Sequence, residues 1–150
     1  MDQDCWSFGE VRAASFWVRR LAHESAVHLF DAQHAIGDAG PYTSALAADT
    51  VSEVFDVMLP RMRRDHAGEI LGPMAFVASD SDHFWLLSTG DNPNRLDVRT
   101  DSTAGALATI RADLADLALG LWGRVDRNAA WTIEGDADVA DDFLSRPITP

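Results

Sequence analysis

Residues 19–31 have the sequence RRLAHESAVHLFD, and this stretch decides how the N-terminal part of the chain folds. The surrounding apolar pattern is that of a helix. On a helix Glu24 and His28 are neighbours at positions i and i+4, with Arg20 one turn before them and Asp31 one turn after. A carboxylate and an imidazole placed in this way can bind one metal ion. Polar groups beside an apolar face are costly unless they are paired, protonated or metal-bound, so the stretch is a candidate site.

The composition limits the classes of function. A chain of 150 residues with 47% hydrophobic and 24% charged residues is typical of one globular domain or two small ones. The net charge of −12 argues against binding to nucleic acid, because contact with the phosphate backbone requires a basic surface. Cys5 is the single cysteine, which indicates a reducing cytoplasm. No apolar run reaches the roughly 20 residues of a membrane span, and the first residues do not resemble a signal peptide, so no membrane partner is expected.

The first half of the chain predicts two antiparallel helices. The helical pattern of residues 14–35 stops before the turn-rich residues 37–41. A second helix is predicted from Thr43 or Ser44, either of which could cap it, to about Arg64. Pro60 is expected to kink this helix or end it early. Asp49 and Glu53 lie one turn apart on its polar side, where a solvated surface is the expected environment.

The second half predicts a small sheet domain. Residues 74–78, 84–88, 96–99, 106–111 and 131–135 have the character of strands. Asp113 is predicted to cap an amphipathic helix, and residues 138–144 to form a terminal one. The fold class is therefore α+β. The predicted division places a helical region in residues 1–67 and the sheet domain in residues 68–150.

Four sequence patterns together resemble the mycothiol-dependent maleylpyruvate isomerase family. The patterns are FWxRRxAHExxxHxxDA at residues 16–32, LAADxxxE at 46–53, DLxxLxLxLWGR at 113–124 and WxIxGD at 131–136. The resemblance implies that the N-terminal helices are half of a DinB-like four-helix bundle. It also implies a sterol-carrier-protein-like C-terminal domain.

The resemblance implies a metal- and thiol-dependent isomerase or transferase that acts on a small acidic substrate. Glu24 and His28 correspond to two ligands of a divalent metal, usually zinc, and the thiol cofactor of the family is mycothiol. The family's first helices, which carry its third ligand, would lie upstream of Trp6. We therefore expect either a homodimer or a partner chain that supplies the missing helices. His23, His34 and His66 are the other candidates for the third ligand, although His23 and His34 are poorly placed on the helix.

The resemblance also makes Arg124 a candidate to hold a substrate carboxylate, because a guanidinium grips a carboxylate with two hydrogen bonds. The alternative for Arg124 is that it only compensates the end of the preceding helix. Asp31 is expected to orient His28 rather than to bind metal. Two alternative functions remain for the whole chain: a non-catalytic dimeric or ligand-binding relative, and a metal-free lyase or cyclase of the same fold.

Overall fold

The computed structural model describes residues 3–38, 40–62, 69–92 and 94–150. Its first half is helical. The long helix α1 (Ala14–Ala35) is followed by α2 (Ser44–Glu53), one π-helical turn (Val54–Met58) and the short α3 (Leu59–Met62). The predicted helix end at Arg64 and the predicted boundary between residues 67 and 68 lie outside the described residues. The division into two domains stays a prediction.

The π-helical turn explains how Pro60 lies inside a continuous helical stretch. Proline cannot donate a backbone hydrogen bond to the residue four positions earlier. The N–H of Leu59 instead bonds to the carbonyl of Val54, five residues back, and the chain continues helically to Met62. Pro60 therefore does not itself end the helix, since the described helical stretch continues to Met62; the alternative expectation of a kink stays a prediction.

The second half contains a five-stranded mixed sheet with two longer and one shorter helix. The elements are β1 (Met74–Ala78), β2 (Phe84–Thr89), β3 (Leu96–Arg99), β4 (Ala108–Ala112), α4 (Leu114–Leu121), α5 (Arg127–Ala130), β5 (Thr132–Gly135) and α6 (Ala137–Leu144). The strand order is β3-β2-β1-β4-β5, in which only the β1–β4 pair is parallel. The predicted α+β class is confirmed.

One hydrophobic core joins the helices to the sheet. In β4, residues 108, 110 and 112 are buried while Arg111 is exposed, which is the alternation of a sheet covered on one face. Helices α4 and α6 pack on β4. The core continues into α2 and the π-helical turn through Val51, Val54, Phe55 and Met58. The close approach of α4 to the Trp131 ring requires glycine at position 120, because a Cβ there would lie 2.3 Å from a ring atom of Trp131.

Local details of α4 differ from the sequence prediction. Asp113 occupies the N-cap position, but its side chain accepts a hydrogen bond from the Ser79 hydroxyl at 2.5 Å. The first N–H of the helix, that of Leu114, donates to Asp80 at 2.9 Å. The β1–β2 loop therefore supplies the side-chain acceptor at the helix start. Among the described residues, no helix has the length and hydropathy needed to cross a bilayer.

The N-terminal segment packs its aromatic residues around the start of α1. Trp6 stacks on Trp17 with ring centroids 5.9 Å apart, and the Trp17 indole N–H donates to the carbonyl of Trp6 at 2.8 Å. Phe8 meets Phe16 edge to face at 4.9 Å. This aromatic group fixes the path by which the chain enters α1.

Candidate functional site

Helix α1 buries two polar side chains, Arg20 and His23, in addition to the apolar Phe16 and Val27. It runs opposite to α2, so that Arg20 meets Glu53 and His23, almost one turn later, meets Thr50. Arg20 is buried and donates to both Glu53 and Glu24. Its guanidinium also lies 4.9 Å from the ring centroid of Trp122. The inner face of α1 is thus anchored by one buried arginine.

Glu53 is the buried partner of that arginine, and only 1% of the residue is exposed. The expected solvated environment for Glu53 is therefore wrong. Burial raises the pKa of Glu53 to about 7, against the lowering effect of the neighbouring Arg20. The sequence does indicate burial of Glu53, because its neighbours Val51, Val54 and Phe55 are apolar. Its partner Arg20 lies 33 residues away in the sequence.

His23 is engaged at both ring nitrogens and is buried. Its Nε2 lies 2.9 Å from a carboxylate oxygen of Asp49, and its Nδ1 lies 2.9 Å from the Thr50 hydroxyl. The Tyr42 hydroxyl extends this chain to Thr50 at 3.0 Å. Burial lowers the pKa of His23, although the Asp49 carboxylate opposes this effect. With both nitrogens occupied, His23 serves the α1–α2 contact rather than an open ligand position.

Glu24 and His28 lie side by side on the outer part of α1. The Glu24 Oε2 and His28 Nε2 atoms are 3.3 Å apart, and the side chains are 43% and 66% exposed. The other carboxylate oxygen of Glu24 accepts from Arg20, which is the main reason why the pKa of Glu24 is lowered. The pair is therefore accessible, and its carboxylate is held ionised.

Asp31 links His28 to Arg124. One Asp31 oxygen lies 3.3 Å from the His28 Nδ1. Arg124 donates from Nε and Nη2 to the two carboxylate oxygens, each at 3.2 Å. These hydrogen bonds lower the pKa of Asp31. The remaining Arg124 nitrogen donates to the carbonyl of Trp122 at 2.7 Å, at the end of α4. Arg124 therefore supports the helix end and grips a carboxylate at the same time.

The residues present fit a zinc ion only in part. Zinc–ligand distances of about 2.0–2.2 Å in a tetrahedron separate two ligand atoms by about 3.3–3.5 Å. The 3.3 Å between Glu24 and His28 agrees with this separation. Within the described ranges, however, no group of three His, Cys, Asp or Glu side chains is arranged to hold a metal. His34 stacks on Phe30 instead, and His66 lies outside the described residues.

Beside this pair, α1 exposes an apolar face to solvent. Its exposed positions recur with the alternating spacing of four and three residues, which is typical of a helix that packs on another helix. We name this set the outer face; it consists of Val18, Ala22, Ser25, Leu29, Ala32 and Ile36. Val18 is 53% exposed, Leu29 58% and Ile36 78%. Helix α1 thus turns Arg20 and His23 toward the protein, together with the buried Phe16 and Val27, and exposes an apolar face to solvent.

Solved structures provide three comparisons. The chain is similar to the sec-alkylsulfatase Pisa1 from Pseudomonas sp., with 15% identity, a TM-score of 0.48, and coverage of 64% of this chain and 16% of that one. It is similar to a UbiJ-SCP2 ubiquinone synthesis protein, with 14% identity and a TM-score of 0.45. This match covers 71% of this chain and 91% of that one. It is also similar to sterol carrier protein 2 from Yarrowia lipolytica, with 14% identity and a TM-score of 0.44. This match covers 67% of this chain and 93% of that one.

No curated protein matches the sequence. The sequence does match the family described as the MDMPI C-terminal domain, where MDMPI stands for mycothiol-dependent maleylpyruvate isomerase. The match covers residues 45–142, from the start of α2 to α6. Because this is more than half of the chain, the protein belongs to the MDMPI C-terminal domain family.

Proposed function

We propose that this chain is part of a metal- and thiol-dependent isomerase or transferase that acts on a small acidic substrate. The observation that carries the proposal is the position of Glu24 and His28 next to the outer face of α1. Any element that covers the outer face also comes within reach of this pair. The site is therefore complete only in an assembly, where the covering element adds the third ligand.

Glu24 and His28 would hold the metal, which we propose to be zinc, through Oε2 and Nε2. When bound, zinc keeps a coordinated thiol, such as mycothiol, in its thiolate form. Asp31 would orient the His28 ring through Nδ1, which is the usual role of a carboxylate behind a ligating histidine. Arg124 would bind a carboxylate of the substrate in exchange for Asp31. The single cysteine and the acidic composition suit the cytoplasm as the location.

We favour a homodimer as the assembly, because the outer face matches itself in an antiparallel arrangement. With a two-fold axis at residue 27, Val18 faces Ile36, Ala22 faces Ala32 and Ser25 faces Leu29. Val18 and Ile36 meet at both ends, the small Ala22 and Ala32 meet next to them, and Leu29 meets the small Ser25 near the axis, so the helices can approach closely. At a rise of about 1.5 Å per residue, His28 lies within one turn of the axis, so the second copy brings its own His28 to the same region.

Native mass spectrometry under metal-preserving conditions tests this function, because it gives subunit number and bound zinc together. We expect a zinc-containing dimer, loss of zinc in His28→Ala and strongly reduced zinc in Glu24→Gln. His34→Ala is the matched control, since His34 is an exposed histidine on the same helix. A folded monomer that takes up no zinc when zinc is supplied would overturn the proposal.

A non-catalytic dimeric relative is the second candidate. It is favoured by the absence of a three-ligand metal group among residues 3–38, 40–62, 69–92 and 94–150. In such a protein the Arg20–Glu24 and Arg124–Asp31 ion pairs would be purely structural. A dimer without zinc, and without isomerase activity on maleylpyruvate with a low-molecular-weight thiol, would support this candidate.

A further inference from the structure

A cleft lies at the opposite end of α1 from His28. It is formed by the N-terminal segment, the start of α1, the π-helical turn with α3, and Arg95. Two adjoining parts have volumes of about 430 and 550 Å³, which is the size range of small-molecule sites. Arg19, the nearest α1 arginine, precedes His28 by nine residues, or roughly 13 Å along the helix. The cleft is therefore separate from the Glu24–His28 pair.

Arginines are concentrated in this cleft. Four of the twelve basic residues of a chain with a net charge of −12 line it: Arg12, Arg19, Arg61 and Arg95. Arg19 is paired with Asp49 at 2.8 Å, and Arg95 is paired with Glu10. Within the part of the chain that the structure describes, Arg12 and Arg61 have no carboxylate in ion-pair distance. Among the described residues, the exposed guanidiniums of Arg12 and Arg61 thus line one cavity without an ion-pair partner.

The cleft also has apolar walls. Phe8 and Pro60 line the first part, Phe16 lines the second, and Val57 lines both. The Arg61 guanidinium lies 4.2 Å from the centroid of the Phe8 ring, so that a charged group and an aromatic surface are presented together. This combination suits a ligand that has one anionic head and a compact apolar body.

Asp56 limits how much negative charge the cleft accepts. It lines both parts of the cleft, and in the described residues its carboxylate has no hydrogen-bond partner. Glu10 lines both parts as well, and its carboxylate is paired with Arg95. A second carboxylate on a ligand would share the cleft with these two carboxylates. The arrangement therefore favours monoanions over dianions.

We propose that this cleft is a binding site for a small organic monoanion, an aryl or alkyl carboxylate. Its head lies between Arg12 and Arg61, and its body lies against Phe8, Phe16 and Val57. The site does not depend on the metal function proposed above, because none of these residues belongs to the Glu24–His28–Arg124 group.

Calorimetric titration of the whole chain with 2-naphthoate tests the proposal, with neutral 2-naphthamide and naphthalene-2,6-dicarboxylate as comparison ligands. We expect saturable binding of 2-naphthoate and at least tenfold weaker binding of both comparison ligands. Arg12→Gln and Arg61→Gln should each weaken naphthoate binding by about tenfold, because each removes a charge-assisted hydrogen bond. The double variant should show no measurable binding.

Arg111→Gln is the matched control, since Arg111 is an exposed arginine outside the cleft, paired with Glu134. It removes the same charge and should bind naphthoate like the parent. Circular dichroism verifies that all variants fold. Three results would each overturn the proposal: no binding to the parent chain, equal binding of 2-naphthamide, or equal losses in Arg111→Gln and the cleft variants.

Discussion

Helix α2 contributes side chains to two different kinds of interface. Its contacts with α4 belong to the apolar core, in which Ala47 and Val51 join Leu117 and Leu121. Its polar contacts with α1 are made by Arg19, Arg20 and His23, all of which bind polar groups on α2, while Val27 is the α1 residue that reaches the core. Apolar contacts stabilise a fold without requiring one specific orientation of the side chains. Hydrogen-bonded ion pairs form only when the two helices lie in one register.

The difference indicates that α4 and α1 have different roles. The α4 contact stabilises the fold of the sheet domain. The α1 contact sets the position of a helix whose other side carries the Glu24–His28 pair and the outer face. Directional contacts fix the position of such a helix more closely than apolar area alone.

The largest effect is expected on the α4 side. Leu117→Ala removes a fully buried side chain between helix and sheet, and we expect the free energy of unfolding to fall by about 4 kcal/mol. Urea denaturation followed by circular dichroism measures this loss. Leu71→Ala, at an exposed apolar residue away from the outer face, is the control and should change the stability little. Equal losses in the two variants would contradict the division between core and exposed surface.

On the α1 side, Arg20→Met should cost about 3 kcal/mol, because it leaves the buried Glu53 without its cation. Arg20→Met/Glu53→Met should recover most of this loss, since it replaces both charges by apolar groups. Arg19→Gln, in the more exposed pair with Asp49, should cost less than about 1 kcal/mol. If the double variant is no more stable than Arg20→Met, the loss does not come from the unpaired carboxylate.

The stability of the α1–α2 contact should depend on pH through Glu53. Its pKa is raised from 4.5 to about 7, so between these values the folded chain binds more protons there than the unfolded chain. The free energy of unfolding therefore falls as pH rises through this window, by at most about 3 kcal/mol. In Glu53→Gln this fall should be absent.

The contribution of Glu53 is obtained by subtracting the stability curve of Glu53→Gln from that of the parent protein. His23, whose pKa is lowered, acts in the opposite direction below pH 6.5, but it is present in both proteins. Subtracting the curves, measured by urea denaturation between pH 4.5 and 8, leaves the contribution of Glu53. Parallel curves would show that Glu53 does not take up a proton on folding.

The smallest effect on stability is expected at Arg124. Arg124→Lys should lower the free energy of unfolding by less than about 1 kcal/mol, because its pair with Asp31 is partly exposed. If Arg124 binds a substrate carboxylate, the same change should reduce isomerase activity markedly while bound zinc stays constant, since lysine cannot form the two-bond grip. Equal activity of the two proteins, both active, would contradict the role in substrate binding.

Local sequence patterns were sufficient for most of the fold, because helices and strands follow from the spacing of apolar residues. Helix α1 is found at residues 14–35, and all five predicted strands are present with small shifts at their ends. The four-residue helix α5 is too short to give a periodic signal. The cap of α4 depends on Asp80, which lies 34 residues from the N–H that it accepts.

The candidate site was predictable only where it lies within one turn of α1. The proximity of Glu24 and His28 follows directly from their spacing of four residues. The contacts of Arg20 with Glu53 and of Asp31 with Arg124 join residues 33 and 93 positions apart, so no local pattern could predict them. The assignment of Glu24 and His28 as metal ligands and of Arg124 as a substrate anchor stays a prediction.

The placement of the tryptophans provides two optical reporters in one chain. Trp6 and Trp17 are exposed near the start of α1, whereas Trp85, Trp122 and Trp131 are buried in the core. A Trp6→Phe/Trp17→Phe variant retains the core emission, and its difference from the parent spectrum isolates the emission at the helix start. In stopped-flow unfolding, the difference trace would give the rate at which the start of α1 is released. The trace of the double variant would give the rate at which the core unfolds.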